Sequence, residues 1–357
     1  MSYSVKELLK YAGINSEGGI LLGQSIVVDG HDDTREYRII THAHSDHLQG
    51  LNKSLQKAKY IISTPITYDI MKALGLIKRR YLEKYIQINY NEKIRLSDNE
   101  ALILCKAEHI PGASQVLVET SDVRVGYTGD FKNPGKGTPI LYDLDVLVIE
   151  ATYGKPEWTR PFRDEVDSLF ADLVKDLLVK GPVYVHGFHG KVQEAMIILR
   201  SHGIDAPFIA TPAVYRVTKA LEKHGYWFGK VYSTISLEAK DIAKSNWYVL
   251  FTHTNNYNSV KINNDIRGNT NINRIILTGW EFNEPYKRIR NNTWIVALSD
   301  HADFEQLLYY VDEARPKLLI VDNYRQGAGE VFAREVRRRL GIPAIPQPLR
   351  YVELPII

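Results

Sequence analysis

The feature that most constrains this chain is the segment Thr41–His47, which reads Thr-His-Ala-His-Ser-Asp-His and follows a β-branched stretch that predicts a strand. Side chains two positions apart leave the same side of an extended chain, so His42 and His44 can meet at one point. Asp46 and His47 can turn to a neighbouring point. Imidazole nitrogens and carboxylate oxygens are the ligands that a catalytic zinc-type site prefers. The segment therefore predicts a loop serving two adjacent metal positions, and the alternative is a histidine-rich surface turn.

Later residues supply the ligands that this loop lacks. His109 precedes a Pro-Gly turn and is the natural third imidazole for the first metal. Asp130 could bridge two ions about 3.5–4 Å apart, the separation that clamps a phosphoryl or acyl centre. The alternative for Asp130 is an Asx-type turn residue. Asp29, at the end of a predicted strand, is better interpreted as an anchor that orients the histidine loop than as a ligand.

Length and composition limit the class of protein. The chain has 357 residues, enough for two domains or for one domain with a large insertion. Its single cysteine excludes internal disulfides and fits a reducing compartment, so we expect a cytoplasmic protein. No stretch is long and apolar enough to predict a membrane span.

Charge is informative through its distribution, because the formal net charge is only +3. Three basic clusters stand out: Lys78–Arg80, Lys287–Arg290 and Arg337–Arg339. Such clusters can meet the phosphates of a nucleic acid, or they can be solvated faces of helices. The composition therefore permits a polyanionic substrate without requiring one.

The order of predicted elements indicates a divided domain. Up to Glu150, apolar strands end in the candidate ligands, which predicts an α/β sandwich with helices outside and a site along one edge. Strands and helices then alternate as in a parallel α/β unit. An apolar predicted strand followed by a candidate site residue recurs at Trp294–Leu298. We expect a first domain in two parts, at 1–157 and 291–357, and an insertion at 158–290.

In this order, the motifs resemble those of the metallo-β-lactamase fold. The residues that carry the resemblance are His42, His44, Asp46, His47, His109 and Asp130. Glu150 and His301 resemble the acidic and histidine motifs of the β-CASP nucleases within that superfamily, where the histidine returns after an inserted domain. The resemblance covers nearly the whole chain. It implies a metallo-β-lactamase αββα sandwich interrupted by an α/β β-CASP domain.

The resemblance also implies the chemistry. A phosphodiester needs charge neutralisation on its oxygens, an ionised water and a proton for the departing oxygen. His301 becomes the candidate proton donor, with Glu150 orienting it, and Asp46 joins them as a catalytic residue at the metals. One or two Zn²⁺ ions are implied, with Mn²⁺ or Mg²⁺ as alternatives at the second position.

One motif departs from the family pattern. Most members carry histidine or valine in a third returning motif, and here Asp322 aligns with that place. An aspartate can bind a hard cation through oxygen. We therefore treat Asp322 as a candidate ligand of the second metal, and the alternative is that it does not bind and leaves this metal weakly held.

Two segments resemble the DNA branch of the family, the Artemis-like and ligase-associated exonucleases. One is Thr278–Trp280, and the other is Gly190–Lys191, which opens a predicted helix. Lys191 would combine its charge with the amides of the helix start to bind a phosphate, unless it is an ordinary exposed lysine. Ser114 and His189 are further candidates for substrate contacts.

These motifs together predict a metal-dependent nuclease, and we expect a 5′ exonuclease that acts on DNA in repair or end processing. The expected partner is a nucleic acid, and we expect no membrane partner. One alternative is an RNA-processing ribonuclease of the same superfamily. Others are a small-molecule metallo-hydrolase and a catalytically dead scaffold that binds nucleic acid.

Overall fold

The computed structural model describes residues 3–254 and 272–349. The chain divides into two compact units. The first contains Met1–Tyr68, Ile77–Thr159 and His301–Ile357, and the second contains Asp69–Leu76 and Arg160–Asp300. The sequence did not indicate that the short segment 69–76 would join the second unit. The boundaries expected at 157/158 and 290/291 remain predictions, because compactness alone does not define where a domain begins.

The first part of the chain contains eleven strands and three α-helices among its described residues. In chain order these elements are α1 (Val5–Leu8), β1 (Ala12–Ile14), β2 (Ile20–Leu22), β3 (Ile26–Val28), β4 (Tyr37–Ile39), α2 (Leu51–Lys57), β5 (Tyr60–Ser63), α3 (Pro65–Ala73), a 3-10 helix (Arg79–Lys84), β6 (Tyr85–Gln87), β7 (Lys93–Ser97), β8 (Glu100–Lys106), β9 (Ser114–Thr120), β10 (Arg124–Tyr127) and β11 (Val146–Ile149). Strands β1 to β6 form one sheet, in which β3, β4, β5 and β6 run parallel.

The second unit alternates helices with strands. Its elements are α4 (Val166–Leu178), β12 (Val183–Gly187), α5 (Lys191–Ser201), β13 (Phe208–Ala210), α6 (Pro212–Glu222), β14 (Val231–Ser233), α7 (Leu237–Lys244), β15 (Val249–His253), β16 (Asn273–Leu277), β17 (Tyr286–Arg290) and β18 (Thr293–Val296). The strand order is β14-β13-β15-β12-β16-β18-β17, and every neighbouring pair is parallel except β17 with β18. The predicted parallel α/β unit is therefore confirmed.

The returning segment completes the second sheet of the first unit. It contains α8 (Phe304–Ala314), β19 (Leu318–Asp322), α9 (Gly329–Leu340) and β20 (Ala344–Gln347). The sheet order is β20-β19-β11-β10-β9-β8-β7, with β19 parallel to β11. A strand from the C-terminal part thus lies next to one from the N-terminal part, so the first unit requires both.

Alternation along β9 separates the two cores of the first unit. Val116 and Val118 face the core that also contains Ile26 and Val28 of the other sheet. Leu117 faces the opposite core, which contains apolar side chains of α8 and α9. Successive residues of a strand point to opposite faces, so this one strand packs against a sheet on one side and helices on the other. Among the residues described, no helix is long and apolar enough to cross a membrane.

Candidate metal centre and active site

The histidine loop lies just beyond the ends of two neighbouring parallel strands. β3 ends before Asp29, and β4 ends two residues before Thr41. One carboxylate oxygen of Asp29 accepts a hydrogen bond from the Thr41 amide at 2.8 Å, and the other accepts one from the Thr41 hydroxyl at 2.5 Å. His47 Nδ1 also lies 2.7 Å from Asp29 Oδ2. Asp29 therefore contacts both ends of the loop, the position expected of an anchor.

Three imidazoles converge at one point of this centre. The Nε2 atoms of His42 and His109 lie 3.2 and 3.1 Å from Nδ1 of His44. His42 and His109 are buried and His44 is half-buried. A neutral imidazole has one acceptor nitrogen, and three acceptors directed at one point suit a cation. The donor set therefore fits the first metal position that the sequence predicts.

A single carboxylate oxygen connects this group to His47. Asp130 Oδ2 lies 3.1 Å from His47 Nε2, 3.6 Å from His42 Nε2 and 3.8 Å from His109 Nε2. Asp46 Oδ2 lies 3.4 Å from the same nitrogen of His47. That buried nitrogen makes no hydrogen bond of good geometry, although two carboxylates lie close to it. This arrangement fits a second cation position and a bridging Asp130, and both assignments stay predictions.

The electrostatics of the centre favour a positive charge. Burial, together with the neighbouring imidazoles of His47 and His109, holds the pKa of His42 well below its ordinary value. His42 is therefore neutral, which is the form that binds metals. Burial would also lower the pKa of His47, but Asp130, Asp29 and Asp46 outweigh it and raise that pKa well above the ordinary value. The same negative potential would attract a divalent ion.

Glu150 and His301 lie together, although 151 positions separate them in the sequence. Glu150 directly follows β11, is buried, and accepts a hydrogen bond from the Phe131 amide at 2.9 Å. Its Oε2 lies 3.0 Å from Nδ1 of His301. The His301 side chain is 20% exposed, and its ring meets that of His109 edge-on at 4.8 Å. The pair predicted from the family resemblance is therefore assembled beside the histidines.

The surroundings of Asp322 bear on its candidate role as a ligand of the second metal. Its Oδ1 accepts hydrogen bonds from the amides of Tyr324 at 2.8 Å and Arg325 at 3.2 Å, and its Oδ2 accepts one from Arg325 Nη1 at 2.7 Å. Asp322 belongs to none of the groups that could hold a metal ion among the residues described. Asp322 is therefore an ion-pair partner of Arg325, which favours the alternative that it does not bind the second metal, and its role stays a prediction.

Arg325 is the residue that the sequence did not point to. Its other terminal nitrogen, Nη2, donates to the carbonyl oxygen of Asp29 at 2.7 Å. The contact spans 296 positions, and a lone arginine in a turn carries no motif that would reveal it. Only the tertiary structure brings it to the histidine loop.

The predicted substrate residues have different surroundings. Lys191 begins α5 after Gly190, but it is buried, and its Nζ lies 3.4 Å from Asp300 Oδ2. His189 is half-buried and its ring lies 4.9 Å from that of His253. Their roles stay predictions.

Ser114 lies in the interior, although it was expected to contact substrate. It is completely buried, and both its amide and its hydroxyl face the carbonyl oxygen of Thr41, at 3.1 and 3.4 Å. A substrate cannot reach a side chain in that position. Ser114 instead holds the first residue of the histidine loop against β9.

Comparison with known proteins agrees with this fold. No family model matches the chain. An uncharacterized protein in the lig 3′ region of Acidianus ambivalens is 54% identical over 139 residues, which are 39% of this chain and 98% of that protein. An RNase J-like protein of Methanocaldococcus jannaschii is 24% identical over 379 aligned residues, covering 89% of this chain and 88% of that protein.

A DNA cross-link repair 1A protein of Mus musculus is 33% identical over 131 residues, covering 36% of this chain and 12% of that protein. A solved structure from Enterococcus faecalis V583, titled as a protein of unknown function, shares the fold with a TM-score of 0.54 at 13% identity, covering 82% of this chain and 76% of that one. The chain spans about half the length of some matching RNases, such as 54% of the probable RNase MJ4 of M. jannaschii.

A two-sheet sandwich with an inserted parallel α/β unit and a histidine-carboxylate centre defines a metal-dependent hydrolase class. The chain belongs to the β-CASP branch of the metallo-β-lactamase-fold nucleases, which are metal-dependent phosphodiesterases. The fold class and the family predicted from the sequence are thus confirmed. The family implies a divalent metal, and the clusters of histidine and aspartate provide its donors.

Proposed function

We propose that this chain is a divalent-metal nuclease whose preferred substrate is the 5′ end of DNA. One observation carries the nuclease assignment: the Glu150–His301 pair lies next to the metal-binding groups, with His301 Nδ1 4.0 Å from Asp130 Oδ2. Cleavage of a phosphodiester requires charge neutralisation and a proton for the leaving oxygen at the same place. A histidine held by a buried carboxylate beside a metal-binding group can provide both.

We assign zinc to the position formed by His42, His44 and His109, because three imidazoles are a typical zinc donor set. The position beside His47, Asp46 and Asp130 contains more oxygen and would accept zinc, Mn²⁺ or Mg²⁺. When bound, the ions neutralise charge on the phosphate oxygens and lower the pKa of water at the site.

The chain's own residues handle the proton. The Nδ1 atom of His301 faces Glu150, so we assign Nε2 as the nitrogen that donates a proton to the departing oxygen. The carboxylate of Glu150 stabilises the protonated ring and fixes its orientation, and the Phe131 amide fixes Glu150 in turn. The partial exposure of His301 leaves it accessible to a substrate.

The basic clusters support a polyanionic substrate unequally. In α9, Arg338 and Arg339 share Glu335 at 2.6 and 3.0 Å, and Arg339 also lies 3.8 Å from Glu305, so carboxylates offset part of their charge. Arg288 and Arg290 are exposed on β17, the edge strand of the second unit's sheet, and neither forms an ion pair with a residue in the described part of the chain. These two arginines are the better candidates for contacts with phosphates.

An RNA-processing nuclease is the second candidate. It is favoured by the RNase J-like relative, which matches over most of both chains. The relative named for DNA cross-link repair favours DNA over a shorter stretch. A small-molecule hydrolase is disfavoured, because a small substrate does not require an inserted unit of this size.

The test uses end-labelled DNA and RNA strands with and without a 5′ phosphate, each incubated with Zn²⁺, Mn²⁺ or Mg²⁺. We expect mononucleotide release from the 5′ end of DNA, and a loss of turnover of about 10²- to 10⁴-fold in His301→Asn at unchanged metal content. Cleavage of RNA alone would favour the second candidate. Absence of phosphodiester cleavage with every metal would contradict the proposal.

A further inference from the structure

We propose that Arg325 is a positioning residue that fixes the ring of His47 through Asp29. The inference concerns the same centre as the proposed function and rests on it. The chain of contacts is short: Arg325 Nη2 donates to the carbonyl oxygen of Asp29 at 2.7 Å, and the carboxylate of Asp29 faces His47 Nδ1 at 2.7 Å.

Asp29 needs an external contact because its backbone conformation is unfavourable. Its φ is +51°, in the left-handed region that costs a residue with a side chain about 1–2 kcal/mol. Aspartate tolerates this region better than most residues, but it remains there only when its surroundings hold it. The bond from Arg325 to the Asp29 carbonyl is one such restraint, and the carboxylate contacts to Thr41 are another.

Arg325 is itself held in place by Asp322. The two side chains form an ion pair in which the arginine side chain is 10% exposed and the aspartate 2%. One terminal nitrogen of the guanidinium contacts Asp322, and the other contacts Asp29. Lysine has a single charged nitrogen and cannot hold two acceptors in this fixed geometry. Asp322, which aligns with a metal-binding motif of the family, thus supports the metal centre indirectly, by holding Arg325 in place.

The consequence is a defined orientation of His47. Nδ1 of His47 faces Asp29, and Nε2 faces Asp130 and Asp46. With a cation at Nε2, the ring keeps its one proton on Nδ1, directed at Asp29. Arg38 holds the other end of the residue, since its Nη2 donates to the His47 carbonyl oxygen at 3.0 Å. Arg325 acts on the ring through Asp29, whereas Arg38 acts on the backbone. Replacing a residue that orients a ligand in this way typically lowers metal affinity about 10- to 100-fold.

The test compares Arg325→Met, Arg325→Lys and Arg124→Met. Arg124 is the matched control, because it also bonds a carboxylate, Glu119, and a carbonyl oxygen, that of Tyr142, but lies on the surface away from the centre. Zn²⁺ and Mn²⁺ binding is measured by calorimetry on the full chain. For Arg325→Met we expect the weaker of two binding steps to lose about 10- to 100-fold in affinity, with the tighter step nearly unchanged. Arg325→Lys should lose less affinity at the weaker step, and Arg124→Met should lose none.

A second readout keeps the inference falsifiable if Arg325→Met folds poorly. The ring ¹⁵N signals of His47, assigned with a His47→Gln variant, report whether Nδ1 carries the proton. In Arg325→Lys we expect that signal to broaden or to shift toward a mixture of tautomers. An unchanged His47 signal together with unchanged metal affinity would overturn the inference. Neither readout requires cleavage, so the inference and the proposed nuclease activity can fail independently.

Discussion

The histidine centre of the first unit and the carboxyl edge of the second unit's sheet both place ionisable side chains at strand ends. At the histidine centre, Asp130 contacts several imidazoles with one oxygen, so each residue depends on its neighbours. At the second edge, Lys191 pairs with Asp300, and the rings of His189 and His253 lie 4.9 Å apart at a tilt of 47°. Under the proposed function, the first region would perform bond cleavage and the second would contribute to the choice of substrate.

The largest expected effect comes from Asp46 and Asp130. Asp46→Ala and Asp130→Asn should each lower cleavage by at least about 10³-fold, because several kcal/mol of charge stabilisation depend on the metals. Metal content measured by mass spectrometry should fall for Asp130→Asn, and circular dichroism should show a folded chain. Nuclease activity retained by Asp46→Ala would remove it from the catalytic assignment and weaken the contrast between the two regions.

A smaller and selective effect is expected at Lys191. Lys191→Ala should reduce cleavage of 5′-phosphorylated DNA about tenfold or more relative to 5′-hydroxyl DNA, because it removes a charged hydrogen-bond donor. The variant also leaves the buried carboxylate of Asp300 without this cation, which costs stability. The double variant Lys191→Ala/Asp300→Ala separates the two roles. If the double variant regains the 5′-phosphate preference, Lys191 serves only as the partner of Asp300.

The smallest effect is expected at the edge strand. Replacing Arg288 and Arg290 by alanine should weaken single-stranded DNA binding several-fold and reduce the slope of log affinity against log salt by about 1.4, if each arginine contacts one phosphate. Arg338→Ala is the matched control, because that side chain is paired with Glu335. Fluorescence anisotropy at several salt concentrations measures the affinity and the slope. The variants are made in an Asp46→Ala background to prevent cleavage. Equal slopes would place the nucleic acid elsewhere.

Several parts of the site were readable from local sequence. His42, His44, Asp46 and His47 lie within six consecutive positions, so their proximity follows from chain connectivity. The helix-strand order of the second unit likewise follows from periodicity. Glu150 and His301 needed a family resemblance, because nothing local indicates that two residues this far apart will meet.

Other parts depend on surroundings that the sequence does not show. Ser114 was expected to contact substrate, but hydroxyl groups also bond backbone carbonyls in the interior, and sequence does not distinguish these uses. Asp322 was treated as a candidate metal ligand with the alternative that it does not bind, and its ion pair with the arginine three positions later favours the alternative. Lys191 at a helix start was weighed against an exposed lysine, and it is instead buried beside a carboxylate.

The sequence by itself determined the donor types, the tight histidine loop and the divided first domain, because these depend on chain order and local geometry. Only the tertiary structure decided which oxygen lies between the histidines, which carboxylate pairs with an arginine, and what holds Asp29 in a left-handed conformation. Those facts depend on contacts such as that between Arg325 and the Asp29 carbonyl. Burial makes such contacts energetically important, but it is a property of the folded chain and of no short segment.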